Sequence, residues 1–359
     1  IDVCRVGSPD LPVTETAAVE DFVSAVRHHR IGALAHVVMR KSRPDVAALL
    51  KPDRDAALMY HLRMCALLAS VGKILEDIPW VVFKGPVLSE FAHPFPGLRF
   101  YKDLDILVAP QDFRRAYERL FESGWRTLVG NSSLVGSELP GELPLGDATH
   151  GILLDLHWSM VVMKSRRANF SVEAEPLLER RVPVAIGPAR VSILDPVDAL
   201  VHVCHHAALI GATRLGHVLD ADQLARQVED WAMVVDTAER WRVCAQVAAV
   251  LGRARRLLGT PVPDDLARSL RIRPGMRTAL ALVDECGPIA SLRRDESWVR
   301  MFTKAATPSL MTTMGNILGK AAPAIRSRWE SANAATPRPP AHAAVLDAFF
   351  SRVEATTAG

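Results

Sequence analysis

The chain has 359 residues, 49% of them hydrophobic and 23% charged, with a formal net charge of +3. That is an ordinary globular balance, long enough for two or three domains with sizeable cores. The charge is too weakly basic to point to nucleic acid by itself, and no apolar run reaches the roughly 18 residues of a membrane span.

The sequence opens on Ile1 rather than Met, from which a missing native start is an expectation only, and shows no signal-peptide pattern. Residues 1 to about 15 read as an irregular leader with two prolines. "TAAVEDFVSAVRHHR" and "DRDAALMYHLRMCALLASVGKILEDI" then space their apolar residues by three and four, which predicts helices. The period changes at Trp80. "WVVF", "LDILV", "WRTLVG" and "GILLDLHWSM" are short, β-branched or aromatic runs bounded by turn formers, and they predict strands. Between the second and third, "PQDFRRAYERLFESG" predicts an amphipathic helix closed by Gly124. Residues 130–147 are rich in Gly, Pro and Ser and predict a long loop able to act as a mobile lid. "VPVAIGPARVSIL" predicts a hairpin turning at Gly187 and Pro188.

From Asp195-Pro196, an N-cap followed by a first-turn proline, the pattern is helical again to about Phe350, with a Pro/Ala linker at 334–341. The predicted architecture is α+β: a small mixed β-sheet core at 79–194, N-terminal helices at 1–78 and a larger C-terminal helical domain at 195–359. Five cysteines without a CxxC pair fit buried thiols in a reducing cytoplasm.

The chemistry concentrates in "WVVFKGPVLSEFAHPFPGLRFYKDLDILV". Asp103 and Asp105 are two apart on a predicted strand, so they project from one face. As paired anions they repel, and apolar neighbours make that repulsion costly. An exposed strand end or an arginine partner would resolve the conflict; so would Mg²⁺, held through carboxylates and completed by water and phosphate. Three features favour the cation. Lys84-Gly85 ends a strand just before Pro86, where a glycine backbone and helix-start amides suit an anion. Arg99 offers a fork of donors for phosphate oxygens. Asp155 in "LLDLHW" adds a third acid, completing the outline of a two-metal phosphoryl-transfer site.

The series "FKGPVLSE … GLRFYKDLDILV … LLDLHW" resembles the uncharacterised bacterial nucleotidyltransferase family of the DNA polymerase β superfamily, over residues of about 80–220. The resemblance implies a small mixed sheet with helices. It implies transfer of a nucleoside monophosphate from an NTP, ATP foremost, to an acceptor with release of pyrophosphate, using Mg²⁺ or Mn²⁺. Asp103 and Asp105 match the metal-binding pair, Asp155 the third acid, a metal ligand and candidate base for the acceptor, and Gly85 the triphosphate glycine. Pro86 departs from the usual Ser after that glycine, removing a hydroxyl and an amide donor; Lys84 and Ser89 are placed to compensate.

"HVCHHAALIGATRLGHVLD" places His202, His205 and His206 on one helix face, but no second ligand cluster with zinc-like spacing accompanies them. His205, Arg214 and Asp220 are candidates for the nucleotide pocket, with packing or capping as the alternative. His157 alternates to the same side as Asp155 and is a candidate to orient that acid or the acceptor, whereas Trp158 should face the core. The "RARR" cluster (253–256) and Arg293-Arg294 read as solvated helix faces. A small molecule or a peptide is the expected acceptor, with an RNA-directed enzyme and a non-catalytic nucleotide-binding protein as alternatives. A cleft between the sheet and the following helices, floored by Asp103 and Asp105, is the expected pocket. Neutralising either acid is expected to leave the fold intact or more stable.

Overall fold

The computed structural model describes residues 1–5, 16–136, 138–147, 151–286, 289, 297–317 and 342–357. The leader beyond residue 5, the linker at 334–341 and Arg293-Arg294 lie outside the described residues. The chain divides into two compact units, 60–90 with 101–195 and 335–359, and 1–59 with 91–100 and 196–334.

The first unit is built on a seven-stranded mixed sheet in the order β3-β4-β5-β2-β1-β7-β6. Its strands are β1 (Trp80–Phe83), β2 (Asp103–Val108), β3 (Trp125–Thr127), β4 (Glu142–Asp147), β5 (Ile152–His157), β6 (Val182–Ile186) and β7 (Ala189–Ile193). β1 is buried along its whole length, as an uninterrupted apolar run predicts for a central strand. β2 lies antiparallel to β1 and parallel to β5. β6 and β7 form the expected hairpin, with Gly187 at a φ of 53°. The helix Phe113–Glu122 buries Phe113, Ala116, Tyr117 and Leu120 at helical spacing.

One face of this sheet is the hydrophobic core. Val82, Leu104, Ile106, Leu143, Leu145, Leu154 and Leu156 meet Leu68, Val71 and Leu75, the Phe113–Glu122 helix, and Phe349 and Phe350 of the last helix, His342–Glu354. Trp158 joins this core, as alternation requires. The long loop expected at 130–147 is not one. It contains a short helix, Asn131–Val135, and β4, which is paired on both sides. Leu143 and Leu145 alternate into the core and hold β4 there, a stronger constraint than the turn-forming residues around them. A mobile lid across 142–147 is thereby ruled out.

The second unit is helical. Helices Thr16–His28, Gly32–Met39, Leu215–Ala225 and Cys244–Leu258 bring Val23, Leu34, Ala35, Met39, Val218, Leu219 and Ala254 into one core. Within the "RARR" cluster Arg255 and Arg256 are exposed as expected, but Arg253 is not. Arg253 is only 1% exposed, pairs with Asp284 at 2.9 Å and donates to the carbonyls of Gly211 and Ala212 at 2.8 Å. Helical periodicity turns Arg253 inward with Val250, Leu251 and Ala254, and its buried charge is tolerated because it is fully engaged. Among the described residues no helix is long and apolar enough to cross a membrane.

Candidate active site

The face of the sheet opposite the core carries the acids. β2 and β5 run parallel in a register that pairs Asp105 with Asp155, and paired residues project from the same face. Asp103 and His157 lie two residues from these on their own strands and share that face. Glu142 on β4 pairs with His157 and joins them. Oxygen and nitrogen atoms of Asp105, Asp155 and His157 all lie within 4.8 Å of one another.

The turn after β1 stands beside this group. Phe83 pairs with Asp105 across the ladder, and the chain then enters the left-handed region at Lys84 (φ 59°) and Gly85 (φ 26°) before the helix Gly85–Phe91. A side chain at Gly85 would place its Cβ 3.0 Å from the Asp103 carbonyl oxygen and 3.4 Å from the Tyr101 ring, so glycine is required. Tyr101 is held in turn by His61, whose Nδ1 lies 2.9 Å from the Tyr101 hydroxyl while Nε2 meets Glu90 at 3.1 Å. For Lys84 a positive φ costs about 1–3 kcal/mol, and such strain concentrates at functional sites. Here it aims the side chain at the acids: Lys84 Nζ lies 2.6 Å from Asp105 Oδ1.

The electrostatics follow from burial and pairing. Burial by itself would push Lys84 down, but Asp105, with Asp103 and Glu142, outweighs it and holds the ammonium above its ordinary value. Burial likewise opposes ionisation of Asp105, yet Lys84 and the His157 hydrogen bond hold its carboxyl well below the usual range. His157 Nε2 lies 3.3 Å from Asp105 Oδ1 and 3.4 Å from Glu142 Oε2. An ionised carboxylate only accepts, so Nε2 carries the proton, while the buried Nδ1 has no hydrogen-bond partner. Asp155 behaves oppositely. Burial, reinforced by Glu142, Asp105 and Asp103 against the opposing pull of His157, raises its pKa to about 6.

This donor set fits a hard divalent cation. Two carboxylates converge, one of them resists ionisation because its neighbours are negative, and a cation removes that penalty. Asp105 and Asp155 would hold the ion with Asp103 alongside. His157 donates to Asp105 and so orients that carboxylate, much as outer-shell partners do at metal sites.

The remaining predicted site residues fall elsewhere. Ser89 is fully buried and its Oγ has no partner, so it offers nothing to a ligand at the turn. Arg99 and Asp220, read separately as phosphate and nucleotide contacts, are each other's partners in the helical unit: Nε–Oδ1 and Nη2–Oδ2 are both 2.8 Å. His205 is buried within the helix Pro196–Leu209, and Arg214 precedes the helix Leu215–Ala225. Glu142 was missed by sequence reasoning. Its signal was the alternation Glu142-Leu143-Pro144-Leu145, hidden within a segment whose composition reads as loop.

These features are those of a nucleotidyltransferase, and the family model described as "Uncharacterised nucleotidyltransferase" matches residues 15–259. That is more than half of the chain, so the protein belongs to this family and nucleotidyl transfer is its class of activity. No curated protein matches it. Among solved structures, an antigenic nucleotidyltransferase-like protein from Paracoccidioides brasiliensis aligns at 13% identity over 58% of this chain and 91% of its own, with a TM-score of 0.35. The nucleotidyltransferase toxin MenT4 from Mycobacterium tuberculosis H37Rv aligns at 12% identity over 76% and 99%, with a TM-score of 0.33. Scores this low carry no weight for the site.

Proposed function

We propose that the protein moves a nucleoside monophosphate from an NTP, ATP foremost, to an acceptor on a small molecule or peptide, releasing pyrophosphate. The observation that carries this reading is the register that sets Asp105 beside Asp155, next to the strained Lys84-Gly85 turn. Mg²⁺ or Mn²⁺ at the carboxylates supplies charge neutralisation for the triphosphate. Lys84, on its strained turn, binds phosphate oxygens when it exchanges Asp105 for them. Asp155 takes the proton of the acceptor, a role suited to a carboxyl whose pKa lies closer to neutrality than usual. The acceptor oxygen then bonds to the α-phosphorus as the bond to the pyrophosphate oxygen breaks. Nucleic acid is the less favoured acceptor, because a net charge of +3 gives weak attraction to a polyanion. A reducing cytoplasm is the proposed setting, since the five cysteines carry no CxxC pair.

The test is melting of the protein with each NTP, with and without Mn²⁺. A ligand that binds only the folded form raises the midpoint by mass action. The expected result is an NTP-dependent rise that needs the metal and disappears in Asp155→Asn. A rise that ignores metal and survives this substitution would remove the assignment.

A further inference from the structure

The Lys84-Gly85 turn and the strand that carries Asp103 and Asp105 are both tied to one side chain, His61. A φ of 59° at Lys84 persists only where the surrounding structure over-determines it. The helix that follows, Gly85–Phe91, is seven residues long, too short to hold itself together in water. Its single charged residue, Glu90, sits in the last turn, where the helix dipole disfavours an anion. A partner from outside this helix has to offset that cost and fix the helix in place.

His61, buried on the helix Pro44–Ile74, is that partner. Its Nε2 meets Glu90 Oε2 at 3.1 Å and its Nδ1 meets the Tyr101 hydroxyl at 2.9 Å. A carboxylate only accepts, so Nε2 donates to Glu90 and Nδ1 is left to accept from the Tyr101 hydroxyl. One tautomer satisfies both contacts. Cys65 Sγ, 3.4 Å from Nε2, adds a weak third. Tyr101 then closes the circuit, because its ring stands 3.4 Å from where a Cβ at Gly85 would be. Tyr60 packs edge-on against that ring, with centres 5.3 Å apart, and donates to the carbonyl of Lys102, the residue before Asp103. Adjacent residues of one helix thus hold the entry to β2 and the far end of the Gly85–Phe91 helix. All of these residues lie in the sheet unit.

We propose that His61 is a positioning residue for nucleotide binding. Through Glu90 and Tyr101 it holds the Lys84-Gly85 turn at a fixed distance from the acids of β2, and so keeps Lys84 where it meets the triphosphate. The inference rests on the reading of Lys84 as a phosphate ligand.

The experiment uses two variants of the whole chain. Tyr101→Phe keeps the ring against Gly85 and removes only the hydroxyl, and Glu90→Ala removes the other arm. Glu90→Gln, whose amide oxygen still accepts from Nε2, is the conservative rescue. Melting without ligand reports whether each variant is folded. Native-state hydrogen exchange, without metal or nucleotide, then follows the Leu88 amide, which bonds to the Lys84 carbonyl at 3.0 Å, against the amides of β5. The expected result is exchange at Leu88 about five- to tenfold faster relative to β5 in Tyr101→Phe and Glu90→Ala, the scale of one lost hydrogen bond. Metal-dependent NTP affinity, taken from the rise of the midpoint with NTP concentration, should fall by a similar factor. Glu90→Gln should recover most of both losses. A merely structural role lowers the ligand-free midpoint and leaves the Leu88 ratio and the NTP affinity unmoved, and that pattern overturns the proposal. So does a faster Leu88 amide with wild-type NTP affinity, because the turn is then loosened without consequence. Absence of any NTP response in the wild type would sink the functional reading instead, and the Leu88 ratio would still decide whether His61 holds the turn.

Discussion

Asp105 is the residue on which the site's electrostatics turn. Its sequence context suggests a carboxylate repelled by Asp103, to be relieved by neutralisation. The structure reverses the sign, because Lys84 Nζ is 2.6 Å away and both side chains are largely buried. Asp105→Asn leaves a buried ammonium without its partner, and removing one member of such a pair costs about 3–5 kcal/mol. We expect Asp105→Asn to melt well below wild type without metal, in a thermal or urea melt. An unchanged midpoint would mean that the Lys84 contact contributes nothing. Asp155 is shifted in the opposite direction to Asp105. Its folded-state value of about 6 lies above the ordinary 3.8, so the folded form holds the proton more tightly. The resulting stability is fully present below 3.8 and is lost as pH rises through about 6. The difference of about two units corresponds to roughly 2–3 kcal/mol, an upper bound for a group with some solvent access. Metal-free wild type should therefore lose stability relative to Asp155→Asn between pH 4 and 7. Parallel pH profiles for the two proteins would contradict the raised value.

Among the elements, the turn joining β1 to the helix Gly85–Phe91 does the positioning. Two consecutive residues with positive φ reverse the chain tightly enough to set Lys84 over the acids, and the Tyr101 ring and the Asp103 carbonyl close around Gly85. Gly85→Ala adds a methyl 3.0 Å from that carbonyl oxygen in a backbone conformation L-residues avoid. We expect a loss of about 1–3 kcal/mol together with a weaker metal-dependent NTP response, measured in one melting series. Wild-type behaviour in both would show that the turn relaxes at no cost. Lys84-Gly85 was legible because a charged residue and a glycine interrupt an apolar strand. The His61–Tyr101–Glu90 support was not, since those residues are far apart in sequence and nothing local marks them as neighbours. Glu142 failed for a related reason: Gly, Pro and Ser around β4 suggest a loop, while the ladder on both sides of it forms only in three dimensions.

The whole chain is assembled from non-consecutive pieces, since each compact unit draws on three stretches of sequence. The last helix makes the consequence measurable. Phe349 and Phe350 pack on Phe113 with ring centres 6.0 and 5.8 Å apart, and Phe350 reaches Tyr117 at 5.0 Å. Arg114 bonds to Glu354 at 2.7 Å. Each buried phenylalanine contributes about 1.5–3 kcal/mol, so the two together rival the total stability of a small domain. A chain ending at residue 341 should lose cooperative melting and expose the core of the sheet unit, read out as dye binding or aggregation. Cooperative melting near the wild-type midpoint would show that this helix is dispensable.

The sequence by itself determined the strands and helices with strong periodicity, the β6–β7 hairpin, the three aspartates and the family. These depend on local spacing, and side-chain direction alternates with strand position whatever the rest of the chain does. Only the tertiary structure decided how those residues are used. It paired Lys84 with Asp105 and Arg99 with Asp220, drew Arg253 inside, raised Asp155 and lowered Asp105. Charge interactions and burial depend on distances between residues remote in sequence, and those distances exist only once the sheet register and the helical core have formed.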